Sequence, residues 1–212
     1  MCKRLVIPDQ AEVERELSVV HSWWTFSARF NVGVSHSVPV ARLHDRESEG
    51  VMMRWGFEDT ALVPGDTVLT SDDCRGAWLH GQRGIVPLAG FYLWQLTAAG
   101  FRQPFYVRLV NRPVFGVAAL WQRIVSDEDE DDVIESCALL TVPANSLLAE
   151  IAGGQMPVIL HRDDYDTWLR TTAARAKSLL QPYPRERMVT HPVSPYVNSL
   201  EHDGPQLIQA IR

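Results

Sequence analysis

The sequence is short of cysteine, of long apolar runs and of positive charge. Its 212 residues include 3 Cys, at positions 2, 74 and 137. Three thiols without framework spacing exclude a disulfide-stapled scaffold. Paired-Cys metal spacing and a phosphate-binding glycine loop are missing too. No apolar stretch reaches the ~18–20 residues that span a bilayer, and Leu5-Val6-Ile7-Pro8 is too brief for a secretory core. These absences point to a reduced, cytoplasmic protein. Lys and Arg number 20 against 26 Asp and Glu, a formal net charge of -6. Proteins that grip nucleic acid by neutralising many phosphates are normally basic, so any DNA binding here needs a local patch.

What is present is a chain able to bury a core. Hydrophobic residues make up 46%, which excludes global disorder. Thirteen Gly, 13 Pro and 7 Trp imply many turns and an aromatic, strand-rich interior. Val13, Leu17, Val20 and Trp24 recur at helical spacing and predict a helix over 11–24. Residues 51–56, 83–96 (interrupted at Pro87 and Gly90), 136–142 and 156–160 read as strands. Residues 105–110 and 114–121 flank Asn111-Arg112-Pro113 and read as a hairpin. Helices are expected over 145–151 and 163–180, and an extended tail over 190–198 and 206–211. Helices do not alternate with strands, so the expected fold class is α+β, one domain over 1–212. The acidic run 126–132 reads as a solvated hairpin tip. The 7 His are scattered, so no metal site and no cofactor are implied. Trp23-Trp24 reads as a core anchor in preference to a base-stacking platform.

One residue carries chemistry by position. Removal of Met1 would leave Cys2 with a free α-amine beside its thiol, a 1,2-aminothiol. The amine has a reference pKa near ~8 and the thiol ~8.5, so both are partly reactive at neutral pH. An aldehyde can condense with the amine, and the thiol then closes a five-membered thiazolidine. The same thiol could instead attack an acyl group.

Short motifs follow one another in order along nearly the whole chain. Met1-Cys2-Lys3-Arg4 opens the series. Arg29-Phe30-Asn31-Val32-Gly33-Val34, Arg54-Trp55-Gly56 and Arg83-Gly-Ile-Val-Pro-Leu-Ala-Gly-Phe-Tyr-Leu93-Trp94 follow. Leu139-Leu-Thr141-Val-Pro-Ala-Asn145, Met156-Pro-Val-Ile-Leu160 and His191-Pro-Val-Ser-Pro-Tyr-Val-Asn198 close it. In this order they resemble the motifs of the SOS-response-associated peptidase (SRAP) family of abasic-site processing proteins, and the resemblance implies a curved, barrel-like mixed sheet with flanking helices. It implies a monomer that binds abasic sites in single-stranded DNA and traps the ring-opened sugar through Cys2 in the DNA-damage response. The family also carries a peptidase (hydrolase) label. It implies catalysis by Cys2, nucleic-acid contacts by Arg4, Arg29, Asn31 and Thr141, and support from His191 behind them.

Departures from the family pattern are as informative. The family's proton-transferring acid falls at Leu93, and its loop His falls near Gly153, with Gln155 in place of an Arg. Residues 65–70 lack the family's DNA-holding Asn and Arg, and 57–62 lack its paired Trp. These losses raise the alternative of a pseudoenzyme: a binding or scaffold protein on an intact fold. A third possibility is acyl or small-aldehyde chemistry at Cys2 without DNA.

Overall fold

The computed structural model describes residues 3–57, 60–125 and 133–211. Cys2 and the acidic run 126–132 therefore lie outside the described residues. In chain order the elements are β1 (Arg4–Ile7), α1 (Gln10–Leu17), β2 (His21–Ser22), β3 (Arg29–Gly33), β4 (Ser37–His44), β5 (Glu47–Trp55), β6 (Leu62–Pro64) and α2 (Asp72–Leu79). They continue as β7 (Arg83–Leu88), β8 (Gly90–Leu96), β9 (Arg102–Leu109), β10 (Phe115–Val125), β11 (Val133–Pro143), α3 (Ser146–Ala152), β12 (Gln155–Pro157), α4 (Tyr165–Arg170), α5 (Ala173–Lys177) and β13 (Met188–Pro192).

The strands form two units. Five close into a ring, β5-β4-β7-β10-β11, in which every pairing is antiparallel except the parallel seam between β11 and β5. Five others form an open antiparallel sheet in the order β13-β9-β8-β1-β3. The fold is α+β on a barrel-like mixed sheet. A buried ion triad crosses the closing seam: Arg42 of β4 reaches Glu49 of β5 at 2.7 Å and Glu135 of β11 at 2.8 Å. Its guanidinium also lies 4.4 Å from the Trp121 ring centroid.

Side chains alternate across the open sheet as a two-sided strand requires. Leu5, Ile7, Phe91, Leu93 and Val107 face the main core, whereas Val6, Tyr92 and Tyr106 join Val193, Val197 and Leu207 in a second cluster on the other face. That second face is roofed by the C-terminal segment, two 3-10 turns at Pro195–Asn198 and Pro205–Ile208. Gly90 is required at the hinge into β8, because a Cβ there would collide with the Tyr106 ring.

Several sequence expectations are corrected. The expected helix 11–24 ends at Leu17, where Ser18 adopts a left-handed φ of 49° and donates to Glu14 O. Beyond it the backbone pairs with β5. Trp24 is buried, with a Cβ on Gly50 excluded by its ring, while Trp23 is exposed. Residues 105–121 are not a hairpin: β9 belongs to the open sheet and β10 to the ring, so the Asn111–Pro113 turn carries the chain between units. The run 83–96 likewise crosses units at Ala89. The expected helix 163–180 breaks at Thr171, which is extended. The expected extended tail is instead wound into the two 3-10 turns beyond β13.

Candidate active site

Three of the six candidate residues meet on the outer face of the open sheet, where they hold the C-terminal segment. Asn31 is fully buried on β3. Its Nδ2 donates to the carbonyls of Val197 (3.2 Å), Ser199 (2.8 Å) and His202 (3.0 Å). Asp203 accepts from the Arg29 guanidinium and, at 2.6 Å, from the Phe30 N–H. His191 on β13 places Nε2 2.8 Å from Ile208 O and packs edge-on against Tyr106. Trp94 Nε1 donates to Asn198 Oδ1 at 2.8 Å. Tyr92 donates to Phe30 O at 2.8 Å, and burial drives its hydroxyl pKa far above the ordinary range. The result is a C-terminal strap held by side chains from β3, β8 and β13. Asp203 and Asn198 carry no chemistry-bearing spacing, and their role is not legible without the fold.

Arg4 stands at the start of β1, opposite Gly33. It donates to Lys3 O at 3.0 Å, and burial lowers its pKa. A Cβ on Gly33 would lie 3.3 Å from Arg4 Nη1 and 2.9 Å from Leu200, so the glycine leaves room for the guanidinium against the strap. On its other side β1 pairs with β8, Leu5 opposite Phe91 and Val6 opposite Gly90. Leu93 is 1% exposed and belongs to the main core.

Thr141 is not part of the strap. It lies on β11, opposite Pro157 of β12 and Pro64 of β6, and its carbonyl accepts from Gly65 N at 2.8 Å. That bond docks the 65–70 segment, which lacks the expected Asn and Arg, directly beside it. Thr141 Oγ1 and Gln155 Oε1 are both buried without a hydrogen-bond partner among the described residues. The register Pro143–Gln155 and Thr141–Pro157 puts both side chains on one face of the β11–β12 pair. Between α3 and β12 the chain turns at Gly153 and Gly154, both with positive φ (61° and 72°), where a Cβ would meet nothing within 4 Å. Gln95 of β8 donates to Glu150 O, which ties this corner to the open sheet. No cluster among the described residues has the three His, Cys, Asp or Glu needed to hold a metal ion.

A family model described as SOS response associated peptidase (SRAP) matches residues 1–200. The chain belongs to the SRAP family. SRAP relatives include the abasic site processing protein YoqW of Bacillus subtilis, 30% identical over 62% of this chain and 59% of its own length. Another is the abasic site processing protein HMCES of Gallus gallus, 27% identical over 86% of this chain and 66% of its own. The chain thus spans about three-fifths to two-thirds of these two relatives. The abasic site processing protein YedK of Escherichia coli is 25% identical, with 86% and 85% covered. A solved structure from Bordetella bronchiseptica superposes with a TM-score of 0.79 at 22% identity, covering 91% of this chain and all of that one. A second, from Bacteroides thetaiotaomicron, gives 0.77 at 23%, covering 86% and 85%. Both establish the fold of this SRAP chain.

Proposed function

We propose that this SRAP protein captures abasic sites in single-stranded DNA through Cys2, and that its capture is slow to reverse. The observation that carries the reading is the placement of β1. It is an interior strand of the open sheet, with Leu5, Val6 and Ile7 all at most 2% exposed. A strand so fixed confines any group two residues upstream to roughly 7 Å of the Arg4 Cα. Proximity of that kind supplies much of the rate of an aminothiol–aldehyde condensation. The amine adds to the sugar aldehyde and water leaves to give an imine. The thiol sulfur then adds to the imine carbon, its proton passes to nitrogen, and one water is lost in all.

Reversal needs a proton delivered to the ring. An acid or base in place contributes ~10²–10⁴-fold to such a step, and Leu93 contributes none. Arg4 and Thr141 are the residues proposed to contact DNA. Arg29, Asn31 and His191 are proposed as positioning residues, acting through the strap. The specific observation favouring the non-catalytic alternative is the same buried Leu93, since a sealed wall lowers access as well as proton transfer.

The test uses Met1-processed protein and single-stranded DNA with one abasic site, followed by a denaturing gel and intact mass, with Cys2→Ala as control. The expected product is a Cys2-dependent adduct of summed mass less one water. It should persist after excess competing aminothiol is added. No adduct over hours would reject capture in favour of non-covalent binding.

A further inference from the structure

The turn that joins β8 to β9 leaves two large apolar side chains in water. Leu96, the last residue of β8, is 69% exposed, and Phe101, the residue before β9, is 74% exposed. Single exposed apolar residues are ordinary, but these two share one short turn, and the turn is ordered. Thr97 N–H donates to Phe101 O at 2.8 Å, Gly100 N–H to Thr97 O at 2.9 Å, and Phe101 N–H to Thr97 Oγ1 at 3.1 Å. The Phe101 backbone is therefore held while its ring stands in solvent. Arg102 lies opposite Leu96 across the β8–β9 ladder, so those two side chains share a face. Arg102 is exposed and makes no side-chain hydrogen bond or ion pair among the described residues. Residues 95–103 include no Asp or Glu, in a chain whose net charge is -6. The tip is thus a local exception to the acidic balance, an exposed aromatic ring followed by an unneutralised cation.

The tip also stands at the end of the open sheet from which β1 starts. β1 and β8 are antiparallel, with Leu5 opposite Phe91. From that pair, the direction that leads to Arg4 on β1 leads to Leu96 on β8, ~17 Å along at ~3.3 Å per residue. A strand of DNA advances ~3.4 Å per nucleotide when stacked as in a duplex, so a strand held at the chain start reaches the tip within a few nucleotides. We propose that Phe101 stacks on a base of single-stranded DNA near the captured site, with Arg102 on a neighbouring phosphate. The proposal rests on the reading that this chain binds such DNA, and it adds where the strand runs. An aromatic platform beside a cation is the pairing that sequence-tolerant single-strand binders use. It supplies stacking to a sequence whose residues 57–62 hold no Trp.

The test is fluorescence anisotropy with a labelled single-stranded oligonucleotide carrying one abasic site, on a Cys2→Ala background so that only non-covalent binding is read. Phe101→Ser should weaken Kd about fivefold or more, the lower end of a base–aromatic stack. Leu79→Ser, at an exposed leucine of α2, should leave Kd unchanged. Phe101→Trp should keep the affinity and show indole quenching by DNA beyond that of its parent. Arg102→Gln should flatten the slope of log Kd against log salt by about 0.7. Unchanged affinity in Phe101→Ser, no added quenching in Phe101→Trp, or an unchanged salt slope in Arg102→Gln would each overturn the proposal. So would self-association that Phe101→Ser abolishes while DNA affinity stays the same, which would make the tip a contact between copies. An adduct at Cys2 together with unchanged Phe101→Ser affinity rejects the stack alone; Phe101-dependent binding without any adduct rejects capture alone.

Discussion

Replacing Asn31 with leucine should loosen the strap without altering any group that can react. The Asn31 amide carries two hydrogens and faces three carbonyl oxygens at 2.8 to 3.2 Å. Leucine fills a similar volume and donates nothing. Each lost hydrogen bond removes about 1 kcal/mol net, and a carbonyl left buried without a donor costs ~1–3 kcal/mol. Asn31 Oδ1 is itself buried without a hydrogen-bond partner among the described residues, so its removal offsets part of that loss. The balance is a destabilisation of ~2–3 kcal/mol, or roughly 4–12 °C in Tm for a chain of this size. Asn31→Asp is the sharper variant. It keeps the stranded oxygen and aims a carboxylate at the three carbonyls, so the folded-state pKa rises above the unfolded ~3.9. A raised pKa makes the variant's deficit smallest at acid pH and larger as pH climbs through the carboxylate range.

The assay is urea unfolding of the parent and both variants at pH 4 and pH 7, with hydrogen exchange of the strap amides. Val193 N–H bonds to Pro104 O and Ile211 N–H to Pro192 O, so both report strap opening. Strap amides should lose protection more than those of the ring, because the segment opens locally before the whole molecule does. The reasoning fails if Asn31→Leu stays within ~0.5 kcal/mol of the parent, the range of an ordinary surface change. It fails equally if Asn31→Asp is the more stable variant at pH 7.

Other consequences can be measured alongside. Arg42→Met should cost ~3–5 kcal/mol, because Glu49 would be left buried without its partner; a smaller loss in chemical denaturation would show that the seam is held by backbone pairing alone. Asp203→Asn keeps an acceptor for Phe30 N–H and removes only a half-exposed ion pair with Arg29, so it should cost under ~1 kcal/mol, and a larger shift in the urea midpoint would contradict that. Native alkylation at pH 7.5 should spare Cys137, whose thiol burial pushes up to about 12; a labelled Cys137 in the peptide map would refute its enclosure. Leu93→Ala should destabilise by ~2–5 kcal/mol in the same denaturation series, and a neutral result would mean that this wall is not packed.

The strands are the legible part of the sequence, since the apolar runs within 83–96 and 136–142 are buried almost without a break, as strands covered on both faces are. Their partners are not legible. The Asn111–Pro113 turn has the composition of a hairpin, and only the sheet order reveals that β9 and β10 pair with other strands. The helix expected over 11–24 rests on Val20 and Trp24. Val20 is exposed, and Trp24 is buried from a loop instead of a helix face. Arg4, Arg29, Asn31 and His191 are legible as polar residues in a recurring pattern, but the pattern does not say what each one touches. Three of them bind the strap, whose own contributions are mostly backbone carbonyls and so leave no trace in residue identity. Arg83, buried with its Nε donating to Trp168 O, escapes a sequence reading because a cation ahead of an apolar strand reads as its solvent-exposed start.

The strap and the lost polar groups bear on each other through β1. The strap covers the outer face of the sheet and brings Leu200 over Gly33, the β3 partner of Arg4. The positions where the family pattern calls for an acid and a histidine lie elsewhere, at core-facing Leu93 and at the Gly153–Gly154 turn. The residues that bind the strap and the core-facing Leu93 thus stand on opposite faces of the open sheet. A sequence can drift at the second without loosening the first, because burying a leucine strengthens a core that a carboxylate would weaken. Restoring the acid alone is then a poor route to faster chemistry. Leu93→Glu places a carboxyl in the apolar core that also holds Leu5, Phe91 and Val107, where burial raises its pKa. Its stability cost should be least below the unfolded value of ~4.3 and grow as pH rises toward neutrality. A Leu93→Glu protein as stable as the parent at pH 7, by urea unfolding, would show that this wall is wetter than its burial implies.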